Sequence, residues 1–173
     1  MRLVVACVWL FALVGIAATC ASCMPQIAGG DNGHEERITT YDPAVRKFGE
    51  AVMKGDWPTA YAMTTPAFQA TTSQVQLQAE YDKLIADIVK DDPTFKPNTV
   101  QVEQGGLPSS EAEAKDTYDF KTMPPKSQWK AWMFAEIGEA VQGTMERGLE
   151  ARVLVIEEQC QPKFAHVEFG YQD

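Results

Sequence analysis

A chain of 173 residues, 45% hydrophobic and 23% charged, has the proportions of one globular domain able to bury its own core, not of a disordered chain. Its formal net charge is −9 and no cluster of Lys and Arg interrupts the acidity, which excludes nucleic acid as an expected partner. Two histidines, His34 and His166, leave little imidazole for acid–base or metal chemistry, and no metal site or cofactor is expected.

The chain opens with Arg2 ahead of an uncharged apolar run from Leu3 to Ala18. That run is shorter than the roughly 20 residues of a spanning helix and ends among small residues, so residues 1–22 read as a secretory signal peptide. Ala21-Ser22-Cys23 resembles the lipobox of bacterial lipoproteins, in which a diacylated cysteine becomes the new N-terminus, although Cys20 stands where leucine is usual. The resemblance makes Cys23 the expected lipidation site. Cys20, preceded by Thr19, fits the motif less well, and cleavage after Ala21 without a lipid is the alternative. An exported chain held on the outer side of a bacterial cytoplasmic membrane, or facing the periplasm, follows from this reading.

Cys7 leaves with the signal peptide. With Cys23 acylated, Cys160 remains as a lone thiol and no internal disulfide is expected; with Cys20 acylated, Cys23 and Cys160 could pair. Residues 23–40, with Gly29-Gly30, Asn32-Gly33 and the run His34-Glu35-Glu36-Arg37, have little to bury and read as a flexible tether. His34 falls in that tether and is expected to be solvated.

The domain proper is expected over 41–173. Asp42 followed by Pro43 signals an N-cap and first helical position, and Ala44, Val45, Phe48, Ala51 and Val52 recur at helical spacing. Gly55 can close that helix in the left-handed conformation, and Asp56 caps a second one carrying Trp57, Ala60 and Tyr61. Thr65-Pro66 repeats the signal before Phe68. Ser73 and Gln76 form a capping box for the longest helix, whose Leu77, Tyr81, Leu84, Ile85 and Ile88 make an apolar stripe ending at Asp91-Asp92-Pro93. The paired aspartates there read as a solvated helix end.

Past this point the period changes from helical to two. Thr99, Val100 and Val102 start a strand, and Gly105 to Ser110 reads as a loop. Ala112, Ala114, Tyr118 and Phe120 alternate with Glu111, Glu113, Lys115 and Thr117, which predicts a second strand with Asp116 on its inward phase. Trp129 to Val141 fits either a helix or a strand buried on both faces; the glycines Gly138 and Gly143 favour the strand. Leu149 to Ile156 and Phe164 to Tyr171 complete an antiparallel meander, with a turn expected at Gln161-Pro162. Glu157 and Glu158 read as solvated edges. The class is α+β, with N-terminal helices on an antiparallel sheet of four to five strands.

The stretches FGEAVMKGDWPTAYAMTTPAF and RVLVIEEQCQPKFAHVEFG, in this order of elements, resemble the small bacterial lipoprotein members of the nuclear transport factor 2-like superfamily, over about residues 41–171. The resemblance implies helices covering a strongly curved sheet and enclosing a cone-shaped pocket. Trp57, Tyr61, Tyr81, Tyr118, Trp132, Phe134 and His166 are the residues that would line such a pocket. Some members of the superfamily are isomerases or dehydratases that use a pocket Asp with Tyr or His; the nearest set here is Asp116 with Tyr118 or His166. Others only bind ligands or form dimers. The leading expectation is a membrane-tethered, non-catalytic domain that binds a small ligand or a protein partner. A hydratase- or isomerase-like enzyme is the alternative, and a homodimer through the sheet's outer face is a further possibility.

Overall fold

The computed structural model describes residues 39–118, 120–141 and 144–171, with side chains described outside 140–147. The expected signal peptide, Cys7, Cys20, Cys23, His34 and the tether as far as residue 38 lie outside the described residues.

A short 3-10 turn (Thr39–Tyr41) leads into α1 (Asp42–Met53). Tyr41, not Asp42, holds the cap position, and the Asp42 carboxylate sits in the first turn, where its charge complements the helix dipole. The buried Tyr41 hydroxyl donates to Glu157 Oε1 at 3.1 Å, which ties the start of the domain to a distant strand. Glu157 is therefore a half-buried acceptor, not the solvated edge that the sequence suggests. At the other end of α1, Gly55 takes φ +71°. Its N–H donates to Val52 C=O at 3.0 Å and the Asp56 N–H donates to Ala51 C=O at 2.8 Å, a Schellman closure that L-residues resist.

Three more helices follow in quick succession: α2 (Trp57–Ala62), α3 (Pro66–Thr71) and α4 (Gln74–Asp91). Each begins where the sequence predicts. The side chains of Asp56, Thr65 and Ser73 accept from the N–H groups of Thr59, Phe68 and Gln76, and Gln76 completes the capping box with Ser73.

The sheet is a four-stranded antiparallel meander in the order β1 (Thr99–Gly105), β2 (Ala131–Val141), β3 (Thr144–Glu158), β4 (Gln161–Tyr171). It is open, with β1 and β4 at its edges, and it is neither closed nor strongly curled. The turn between β3 and β4 lies at Gln159-Cys160, with φ +52° and +61°, so Gln161 and Pro162 belong to β4 and pair with Glu158 and Glu157. Two left-handed residues in succession match the right-handed twist of the hairpin.

The segment expected as a second strand is a helix, α5 (Glu111–Thr117). Ser110 caps it by accepting from the Glu113 N–H at 3.1 Å, and the Glu113 carboxylate reaches back to the Ser109 N–H at 2.7 Å. Alternating Ala and Glu satisfies a period of two on paper, but these residues are strong helix formers and offer no β-branched side chain to a sheet. Asp116 is consequently exposed on α5, away from any inward phase.

Both faces of the sheet carry cover. Helices α1 to α4 lie on the inner face, where Val45, Phe48, Trp57 and Leu77 join Val100, Met133, Ala135, Ile137, Leu149, Val153, Phe164 and Phe169 in one continuous buried cluster. A second cluster on the outer face gathers Trp132, Leu154, Ile156 and Ala165 under Ala114 of α5 and Trp129. Among the described residues, no helix is long and apolar enough to cross a membrane.

Candidate functional site

The geometry of β4 sets the site. Val155 pairs with Phe164 and Leu154 with His166, so Ala165 is one residue extra, a β-bulge. Phe164 faces the inner cluster, whereas Ala165 and His166 both turn to the outer one; Val167 and Phe169 then return to the inner face. The bulge thereby brings the His166 imidazole flat against Trp132, with centroids 5.9 Å apart and planes at 18°. Phe120 stacks on the imidazole at 4.3 Å, and Tyr118 lies over Trp132 at 4.2 Å. The result is an aromatic stack with one polar, 5% exposed member. His166 Nε2 lies 3.4 Å from Glu168 Oε2, and Glu168 in turn faces Arg152 Nη1 at 3.6 Å.

Along the same strand runs a groove of about 320 Å³. Val167 and Phe169 line it together with Phe68 of α3 and Leu84 of α4. Its polar rim comes from Thr72, Glu80 and Lys83 on the helical side and from Lys121, Thr122, His166 and Glu168 opposite. An ion pair spans it: Lys121 Nζ lies 3.8 Å from Glu80 Oε1, with both side chains close to half exposed. An apolar floor under convergent polar groups is the usual character of a small-ligand site.

Of the residues expected to line a common pocket, His166 reaches this groove. Trp57 and Tyr81 pack edge-to-face with each other and with Phe169, at 5.5, 6.5 and 5.6 Å, and belong to the inner core. Burial, with a smaller contribution from Asp82, pushes the Tyr81 hydroxyl up to about 12, so it stays protonated across physiological pH. Tyr61 donates its hydroxyl to the carbonyls of Gln69 (3.2 Å) and Thr72 (3.0 Å), closing the corner between α2 and the end of α3. Tyr118, Trp132 and Phe134 lie on the outer side of the sheet. The sheet itself separates the two sets.

Phe134 and Trp132 lie across Gly105 on the neighbouring strand; a β-carbon there would come within 2.7 Å of the Phe134 ring and 2.8 Å of Trp132 Cδ1. Among the described residues the buried Trp132 indole N–H meets no hydrogen-bond acceptor, unlike that of Trp129, which donates to Pro124 C=O at 2.9 Å. Beyond this aromatic patch the outer face becomes acidic. Glu136 stands directly opposite Glu150, and Arg152 bonds Glu150 at 2.5 Å. Burial first, then the carboxylates of Glu103 and Glu150, raise the Glu136 pKa.

Of the candidate set of Asp116 with Tyr118 or His166, Asp116 is exposed on α5, whereas Tyr118 and His166 lie in the outer aromatic stack. Among the described residues, no three His, Cys, Asp or Glu side chains converge in a metal-binding arrangement. The groove residues Phe68, Val167 and Phe169 look like core residues in the sequence, and Glu80, Lys83 and Lys121 look like ordinary solvated charges. No family model, curated protein or solved structure matches this chain.

Proposed function

We propose that the chain is an exported, lipid-anchored and non-catalytic binding domain of the nuclear transport factor 2-like kind, which holds a small ligand of mixed polarity in the groove beside β4. The observation that carries the binding role is that groove, with Phe68, Leu84, Val167 and Phe169 beneath a rim of opposed charges. The order of elements, helices first and an antiparallel meander after, is what supports the kinship. The apolar run ahead of Cys23 supports export and the anchor.

A thermal-shift screen of the mature chain against a metabolite library tests the binding role. Compounds with an apolar body and one charged end are expected to raise the melting temperature, and a blank screen counts against the reading. Feeding labelled palmitate to cells making the Cys23→Ala chain tests the anchor. Loss of label is expected, and unchanged labelling rules out that cysteine.

The acidic part of the outer face beyond the aromatic patch is the place where a second copy would dock in the homodimer reading. There Glu136, Glu150 and Glu168 outnumber Arg152, so two such faces repel each other, and a dimer through this face is the weaker proposal.

A further inference from the structure

Building on the binding role of the groove, we infer that its occupant is an extended peptide that adds a strand to the outer edge of β4. The argument begins at Phe164. Its N–H donates to Met63 C=O at 3.0 Å and its C=O accepts from the Thr65 N–H at 2.9 Å, so its backbone groups point away from β3. In this way Thr64 already pairs with β4 as one rung of a parallel ladder before the chain turns off into α3. Val167 and Phe169 share the inward side-chain phase of Phe164 once Ala165 is set aside as the bulge, so their N–H and C=O groups face the same way, into the groove. Among the described residues, no hydrogen bond reaches the backbone of either residue from that side.

An extended chain laid there would satisfy alternate backbone groups and present its side chains alternately to the two walls. One wall is Phe68 and Leu84, which suits apolar side chains; the other is Lys121 and Thr122. The charges favour an acidic peptide. Glu80 is engaged by Lys121, and Glu168 by Arg152 and His166, which leaves Lys83 as the rim cation without an ion-pair partner among the described residues. An aspartate, a glutamate or a terminal carboxylate is the group that Lys83 fits.

The test uses the full mature chain and two randomised hexapeptide pools with a fixed C-terminal Asp, one with ordinary amides and one with every second amide N-methylated. Selection should enrich ordinary peptides with alternating apolar residues and should retain N-methylated ones only when the methyl groups fall on the phase facing away from β4. In spectra of the labelled protein, the Val167 and Phe169 amides should shift and gain protection from exchange. Lys83→Glu should weaken the selected peptides about tenfold, and Lys83→Arg should restore them. Equal retention of peptides methylated in either phase, or no enrichment, overturns strand addition. If small molecules still stabilise the protein in that case, the groove remains a ligand site and the peptide inference alone fails. Self-association of the chain that protects the same two amides would give this edge to a second copy, and would also overturn the inference.

Discussion

At Gly49 a single missing side chain sets how closely α1 can lie on the sheet. A β-carbon there would stand 2.7 Å from Val100 Cγ1 and 3.0 Å from Ala135 Cβ, both held by the sheet backbone. Overpacking of this kind costs about 1–3 kcal/mol, against roughly 1 kcal/mol of helix propensity that alanine contributes. With two rigid contacts the penalty wins. Gly49→Ala is expected to destabilise the protein by up to about 2 kcal/mol net, read from the midpoint of urea denaturation. Glu136 carries a prediction with a pH signature. A carboxyl whose folded-state pKa lies above its unfolded value weakens the fold wherever it is ionised in both states, and the penalty fades as pH falls through the folded value. Burial and the facing carboxylates place Glu136 in that class. Glu136→Gln should therefore stabilise the protein at pH 7 by up to about 1 kcal/mol, and the gain should vanish below about pH 4. A gain that grows on acidification would refute the assignment.

At the scale of elements, what was legible was local. Asp56, Thr65 and Ser73 each announce a helix within a few residues of themselves, and each caps one. Ala-Glu alternation satisfies two periods at once and so hides the helix α5, although Ser110 with Glu113 is a capping signal for it. Ser110→Ala should cost about 1 kcal/mol and loosen the lid over Trp132; circular dichroism and denaturation together check it. The hairpin turn was misplaced for a different reason. Gln159 and Cys160 occupy left-handed positions that glycine or asparagine usually fill, so no turn residue marked them. The segment leading into β2 offers a matched pair of tests. Trp129→Phe strands the Pro124 carbonyl, whereas Trp132→Phe removes an N–H that meets no acceptor among the described residues. The volume change is the same, so Trp129→Phe should be the costlier by about 1 kcal/mol.

For the whole molecule, the α+β class and the antiparallel meander could be read from periodicity, but the groove could not. It is built from segments around residues 68–72, 80–84, 121–122 and 166–169, which only the folded chain brings together. The bulge at Ala165 is equally silent in the sequence, because one extra residue reverses the phase of every side chain before it relative to those after it. This phase reversal is why His166 joins the outer aromatic stack while Phe164 stays in the core. The aromatic residues expected to define one pocket are divided by the sheet, and the proposed binding role moves to its edge. Filling the groove tests that relocation most directly. Thr122→Trp places an indole at the groove wall without touching the core, and the measurement is the melting-temperature shift produced by a compound that stabilises the unaltered protein. The shift should disappear in the variant while its melting temperature without ligand stays close to that of the unaltered protein; an undiminished shift would put the ligand elsewhere and contradict the account.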